Sequence, residues 1–166
     1  MRRIIQKAKA LYKRYSSEEL DTVVEKLGVK LYETLTTKNI KEVYYPELRT
    51  IAIKPNLHPY ERNCLIAHAL GHHLFHRKDL FRDYISLHEK GIFGNLELGR
   101  IEIVTKEREA DIFAAHFLIP EENLKLILEE KGVKESPSPI PQLAEKFQVP
   151  EELMRKRLEF ETMASF

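Results

Sequence analysis

The stretch CLIAHALGHHLFH, residues 64–76, places two histidines four residues apart inside an apolar run. In an α-helix, residues i and i+4 differ by about 40° around the axis and about 6 Å along it. His68 and His72 are therefore expected to point their imidazoles at one cation from the same face, and this spacing suits zinc. Gly71 weakens a helix, so it is easier to explain where another backbone must approach closely.

Four of the seven histidines lie within residues 68–76. His73 is rotated about 100° from His72 and leaves the shared face. His76 is on that face, but it lies about 12 Å along the axis from His68. Both are interpreted as residues of the helix surface. The alternative for the pair itself is two buried histidines, each of which would need a hydrogen-bond partner in the core.

A third ligand is expected from KEREADIFAAHFLIP, residues 106–120, where Glu107 and Asp111 are also i and i+4. Glu109 lies about 200° from Glu107, on another face of the helix. If Glu107 binds the cation, Asp111 lies one turn along, where it can accept a hydrogen bond from the second nitrogen of a ligating histidine. The alternative is a solvated acidic helix start, which the helix dipole favours by itself.

The run ERNCLIAHALGHHLFH (61–76) followed by EREADIFAAHFLIP (107–120) resembles the ImmA/IrrE family of zinc metallopeptidases. The family pattern leads from an apolar run into His-Glu-Leu-Gly-His. It continues with Glu-x-Glu-Ala-Asn/Asp-x-Phe-Ala and closes on Leu-x-Pro. A C-terminal Leu-Ala-x-x-Phe-x-Val segment, here LAEKFQV (143–149), follows in family order. The resemblance covers most of the chain.

The resemblance implies roles for four residues. His68, His72 and Glu107 match the zinc ligands, and Asp111 falls where the family has a helper Asn or Asp. The implied fold is α+β, with a mainly helical zincin-like domain. The implied function is an intracellular zinc endopeptidase that cleaves a partner helix-turn-helix transcriptional repressor.

Ala69 departs from the family pattern, because it replaces the glutamate of the motif. In such sites this glutamate takes a proton from the attacking water and later passes it to the leaving amine. A methyl group does neither, and losing a general base removes about 10²–10⁴ of rate. The chain is therefore expected to bind zinc but to cleave little or nothing. An engineered Glu→Ala knock-out is favoured over a natural pseudo-enzyme.

Composition excludes several classes of protein. The 166 residues carry a formal charge of +1, which gives no electrostatic reason to expect nucleic acid as the main ligand. No stretch approaches the roughly 20 apolar residues of a membrane span, and the N-terminus lacks a signal-peptide pattern, so a cytoplasmic protein is expected. Cys64 is the single cysteine, which excludes a thiolate zinc cluster and indicates a core residue.

Periodicity predicts an α+β fold with a small antiparallel sheet and a C-terminal helical subdomain. A domain at 1–131, a linker at 132–140 and a subdomain at 141–166 are expected. A capping box from Ser16 to Glu19 is expected to start the second helix, and Gly28 to end it. After an amphipathic N-terminal helix, helices are expected at about 17–27, 60–76, 105–119, 121–131, 141–147 and 151–160, and strands at 29–35, 42–46 and 49–55.

Residues 77–105 show no sustained period. They are interpreted either as a lid or substrate-binding loop, or as a surface loop with a short strand at 101–105. Tyr84, His88 and His116 are possible oxyanion stabilisers by residue type alone, and none of them is chosen.

The end of the chain, residues 141–160, is spaced like a helix-turn-helix. Arg155, Lys156 and Arg157 would lie on its second helix, where a recognition helix meets DNA. This supports an alternative in which the chain is a repressor-binding or DNA-binding module with a structural metal. Glutamates on the same helix would repel phosphates, so a packing helix is expected instead. These are Glu151, Glu152, Glu159 and Glu161.

Overall fold

The computed structural model describes residues 1–34, 40–79, 96–130 and 139–164, without the side chains of 96–101 and 161–164. Helices dominate this part of the chain, and its three short strands form one sheet, so the expected α+β class is confirmed. The elements are α1 (Arg2–Tyr15), α2 (Leu20–Lys26), β1 (Lys30–Glu33), β2 (Glu42–Tyr45), β3 (Thr50–Ile53), α3 (Pro59–Phe75), α4 (Leu96–Leu118), α5 (Glu121–Leu128), α6 (Ile140–Phe147) and α7 (Glu151–Ala164).

The sheet has the strand order β1-β3-β2. β2 and β3 pair antiparallel across a short turn, whereas β1 pairs parallel with β3. The expectation of an antiparallel sheet is therefore wrong for β1. All four residues of β3 are buried, so this strand takes the centre, and β1 runs along its remaining edge. Apolar alternation indicates which face of a strand is buried, but it does not identify the neighbouring strand.

The second helix differs from the expectation at its start. It begins at Leu20, and Glu19 precedes it without a side-chain capping hydrogen bond. The predicted capping box is wrong, because Ser16 still belongs to the end of α1 as its C-terminal cap. The end at Gly28 is as predicted: its φ of 75° is a left-handed conformation that favours glycine.

The fourth helix begins much earlier than expected, at Leu96, so the alternative of a short strand at 101–105 is wrong. The β-branched Ile103 and Val104 are 59% and 66% exposed on this helix. Their local preference for strand is overridden because α4 as a whole packs against α1 and α3. The suggested lid falls mainly on residues 80–95, which lie outside the described residues.

One hydrophobic cluster joins the N-terminal and C-terminal helices. Leu70 of α3 and Phe113 of α4 are fully buried within it. Leu143 of α6 and Met154 of α7 belong to the same cluster. The C-terminal helices therefore pack onto the rest of the fold, while the division into two domains and a linker stays a prediction.

Helices α3 and α4 approach each other closely at Gly71. A Cβ added to Gly71 would lie 2.9 Å from the Ala110 Cα and 3.2 Å from the Ala110 Cβ and carbonyl oxygen. This is the close backbone approach that the sequence suggested. His72 follows Gly71, and Glu109 and Asp111 flank Ala110, so the crossing brings the histidine helix against the carboxylate helix.

We expect Gly71→Ala to push the two helices apart. Overpacking of this kind costs about 1–3 kcal/mol, against a gain of about 1 kcal/mol in helix propensity. The midpoint of thermal unfolding should fall, and so should the affinity for the zinc ion that the sequence predicts. Gly28→Ala is the control, because it strains the backbone far from the crossing and should leave zinc binding unchanged. Zinc binding by Gly71→Ala equal to that of the unmodified chain would contradict the role of the crossing.

His116 lies in the core, with 3% of its surface exposed. Neither of its ring nitrogens has a hydrogen-bond partner among the described residues. Burial, together with the charges of Arg157 and Lys9, lowers the pKa of His116 to about 3. The folded protein therefore holds this imidazole neutral.

The buried His116 makes stability depend on pH. Between the ordinary pKa of 6.5 and the folded value of about 3, the unfolded chain binds one more proton than the folded chain. Stability is fully present above pH 6.5 and falls by about 1.4 kcal/mol for each unit of acidification below it. His116→Phe should remove this component of the slope, measured by urea unfolding at pH 6.5 and 4.5. Equal slopes in both proteins would contradict the assignment.

Candidate metal centre

Three side chains from α3 and α4 converge on one point. The Nε2 atoms of His68 and His72 lie 3.0 Å apart. One carboxylate oxygen of Glu107 lies 3.2 Å from His68 Nε2, and the other lies 3.2 Å from His72 Nε2. In a tetrahedral zinc site with bonds of about 2.0–2.1 Å, neighbouring donor atoms lie about 3.3 Å apart. The three side chains therefore fit zinc in both chemistry and spacing.

Burial differs among the three side chains. The side chain of His72 is 9% exposed and that of His68 is 16% exposed, whereas that of Glu107 is 55% exposed. The histidines are fixed by the helix packing beneath them, and solvent reaches the group from the side of the carboxylate. Within the described residues, these three form the group of histidine and acidic side chains that could hold a metal ion.

Asp111 and Lys156 support His68. Asp111 Oδ1 accepts a hydrogen bond from His68 Nδ1 at 3.0 Å, and its other oxygen accepts one from Lys156 Nζ at 2.8 Å. Burial by itself would raise the pKa of Asp111, but the hydrogen bonds from His68 and Lys156 lower it. Lys156 belongs to α7, so the C-terminal helix contributes to the surroundings of the site.

A second chain of contacts starts at His72. Its Nδ1 lies 3.1 Å from His76 Nδ1, and His76 Nε2 lies 2.8 Å from Glu109 Oε2. His76 is buried, so its interpretation as a surface residue is wrong. The distance of about 12 Å along the axis excludes only the direct sharing of one cation by His76 and His68. The i and i+4 spacing of His72 and His76 in the sequence indicates that their rings can meet, because side chains on a helix lean towards the preceding turn.

His73 also departs from its interpretation as a surface residue. It is half-buried and faces the sheet, where its Nδ1 lies 2.7 Å from the Tyr44 hydroxyl oxygen. Burial lowers the pKa of His73 and raises the pKa of Tyr44 to about 12. This contact joins α3 to β2, which forms one wall of the site.

Glu42 is a residue that the sequence analysis missed. It lies on β2 two residues before Tyr44 and therefore on the same face of the strand, towards α3. Burial raises the pKa of Glu42 to about 7; the Glu107 carboxylate adds to this shift and His68 opposes it. No local signal marks Glu42, because 26 residues separate it from His68 and only the tertiary fold brings them near each other.

The ligand-type residues shift the pKa values of one another in opposite directions. Burial disfavours the charged form of His68, yet hydrogen bonds and charges from Asp111 and Glu107 raise its pKa to about 9. Hydrogen bonds from His68 and His72 hold the pKa of Glu107 well below its usual range. The cluster is therefore strongly coupled and favours positive charge at its centre.

Ala69 follows His68 on α3 and has no exposed surface. Its methyl group belongs to the hydrophobic cluster and can neither accept nor donate a proton. Of the possible oxyanion stabilisers, Tyr84 and His88 lie outside the described residues. His116 lies nine residues beyond Glu107 on the same helix, about 13 Å along its axis, so it cannot serve the centre.

The basic residues of α7 do not form an outward-facing group. Lys156 donates to Asp111 at 2.8 Å, and the fully buried Arg157 donates from Nε to the Ile119 carbonyl at 3.1 Å. Arg155 is exposed. Two of the three basic side chains therefore serve the packing of the helix. As for membranes, the helices in the described part of the chain are too short or too polar to span a bilayer.

Comparison with solved structures finds a similar fold in a Mycobacterium tuberculosis transcriptional regulator, with a TM-score of 0.67 and 20% sequence identity. The similarity covers 95% of this chain and 46% of that protein, so the chain spans about half the length of that regulator. At this level of identity the likeness shows the fold alone. No match is found among curated proteins.

A family model gives the more specific result. The model of the IrrE N-terminal-like domain, peptidase family M78, matches residues 24–159. The match includes the sheet, both helices of the metal centre and most of α7. It extends over most of the chain and agrees with the resemblance to the ImmA/IrrE family. The chain therefore belongs to the M78 peptidase family, with an IrrE N-terminal-like domain and a metallopeptidase-like fold.

Proposed function

We propose that this chain binds one zinc ion through His68, His72 and Glu107. The observation that carries the proposal is the convergence of the donor atoms: the two Nε2 atoms lie 3.0 Å apart, and each lies 3.2 Å from a different oxygen of the Glu107 carboxylate. Two imidazole nitrogens and a carboxylate are a usual ligand set of catalytic zinc, which leaves a fourth position open. The exposure of Glu107 supports such an opening, because it leaves that side of the group accessible to substrate.

The proposed activity is that of a zinc-dependent endopeptidase of the ImmA/IrrE type. When bound, zinc would supply a Lewis acid that polarises the scissile carbonyl and activates water. Asp111 holds His68 in place, and the crossing of α3 and α4 sets the distance between the histidines and Glu107. Ala69 leaves the site without the glutamate that would accept the proton, so the chain as it stands is proposed to cleave little or nothing.

The proposed substrate is a helix-turn-helix transcriptional repressor, and the proposed location is the cytoplasm. Membership of the family supports this substrate class. The position of β2 beside the site suggests how an extended peptide would bind. It would add to the outer edge of β2 through main-chain hydrogen bonds.

A binding protein is the second candidate function. In this case Ala69 is native, and the metal orders a surface that recognises a repressor without cutting it. The observation in its favour is Ala69 itself, because the described ligand-type residues are in place while the proton acceptor is missing. An engineered Glu→Ala substitution would explain the same observation for a peptidase.

The zinc assignment can be tested by metal content. His72→Ala should abolish stoichiometric zinc, measured by elemental analysis after dialysis. Glu107→Gln should weaken zinc binding by more than about 100-fold, whereas Glu109→Gln, which changes a residue outside the three proposed ligands, should weaken it less. If His72→Ala still binds one zinc per chain, the zinc assignment is wrong. If Glu109→Gln weakens zinc binding more than Glu107→Gln does, the wrong carboxylate was chosen as the ligand.

The proposed activity can be tested by restoring the missing group. Ala69→Glu should cleave a helix-turn-helix repressor of the source organism about 10²–10⁴ times faster than the unmodified chain. Ala69→Gln is the matched control, because it has the same size but accepts no proton. Zinc content and circular dichroism should be equal in all three proteins. If zinc is bound and neither variant cuts any of the repressors, the binding function is favoured over the peptidase.

A further inference from the structure

We infer that His76 and Glu109 are positioning residues that hold His72 with its Nε2 lone pair directed at the metal centre. The inference rests on the proposed zinc site and extends it beyond the three ligands. It follows from two distances, 3.1 Å between His72 Nδ1 and His76 Nδ1, and 2.8 Å between His76 Nε2 and Glu109 Oε2.

The Glu109 carboxylate, at the end of this series of hydrogen bonds, determines where the protons lie. An ionised carboxylate only accepts hydrogen bonds, so the 2.8 Å contact requires His76 to carry a proton on Nε2. A neutral His76 then presents a lone pair on Nδ1. His72 must donate its Nδ1–H to that lone pair, so Nε2, which faces Glu107 and His68, is the nitrogen of His72 that remains to bind a metal.

Burial makes this chain of hydrogen bonds effective. His72 and His76 are 7% and 3% exposed, so water has little access to compete for their ring nitrogens. Hydrogen bonds in such surroundings are stronger than in water, and a buried nitrogen without a partner is costly. The ring of His72 is therefore held in one orientation, with Nδ1 towards His76 and Nε2 towards Glu107, before any cation arrives.

The two ligand histidines receive the same kind of support from different residues. His68 donates directly to a carboxylate, that of Asp111. His72 reaches the carboxylate of Glu109 only through His76, which acts as a spacer between them. Hydrogen bonds from a ligand histidine to such partners fix its tautomer and raise its basicity, and their loss typically costs 10–100-fold in metal affinity.

The first experiment locates the protons. Long-range ¹H–¹⁵N correlation spectra of the ¹⁵N-labelled chain at pH 7.5, with and without zinc, report which ring nitrogen of each histidine is protonated. We expect His76 to be protonated on Nε2 and unprotonated on Nδ1. A proton on His76 Nδ1 in the zinc-loaded protein would overturn the inference, because His72 could then not donate to it.

The second experiment measures zinc affinity by competition with a chromophoric chelator. His76→Phe keeps the ring volume but accepts no hydrogen bond, and it should weaken zinc binding about 10–100-fold. His76→Asn places a carbonyl oxygen near the position of Nδ1 and should recover most of that loss. His73→Phe is the matched control, because His73 is a neighbouring histidine that contacts Tyr44 instead of a ligand.

The outcomes separate this inference from the proposed function. If the unmodified chain and the His73→Phe control bind no zinc, the proposed function fails, and the inference fails with it. If the unmodified chain binds zinc and His76→Phe binds it as tightly as His73→Phe does, the zinc site stands and the inference alone is wrong. Should His76→Phe fail to fold, the comparison of His76→Asn with the control and the proton positions decide the question.

Discussion

The close crossing of α3 and α4 at Gly71 and Ala110 is the constraint on which the metal centre depends. A side chain at Gly71 would meet the Ala110 backbone at 2.9 Å, so the two helix axes are as near as they are only because that side chain is missing. His72 follows Gly71 along one helix, and Glu109 and Asp111 flank Ala110 on the other. The same approach that packs the core therefore sets the distances across the site, and sites built between rigid helices are more precise than sites on loops.

The electrostatics of this crossing favour the binding of a cation. Asp111 and Glu107 raise the pKa of the partly buried His68 to about 9, and burial with a contribution from Glu107 raises the pKa of Glu42 to about 7. The two carboxylates beside His68 favour positive charge there, whereas the pKa of Glu42 rises chiefly because the residue is buried. Lys156 offsets part of the negative charge of these carboxylates through Asp111. A divalent cation between the imidazoles and Glu107 would offset much more.

The sequence predicted which side chains share a face on each helix, because i and i+4 geometry is internal to a helix and needs no tertiary information. This was sufficient to select His68 with His72, and Glu107 with Asp111. It was not sufficient for Glu109, which reaches His76 only because of where the other helix lies. Local periodicity also gives no information on which strand pairs with β1, or on how close β2 lies to the site. Tertiary packing also overrode the strand preference within residues 101–105, which lie in α4.

Metal binding and peptide cleavage depend on different parts of this fold. The donor atoms are held by the helix crossing, by Asp111 and by the contact of His72 with His76, and none of these involves the side chain at position 69. Ala69 is fully buried against the hydrophobic cluster, so its methyl group is accommodated without a polar partner. The residue on which the proposed cleavage depends is therefore one that the donor atoms do not need in order to converge.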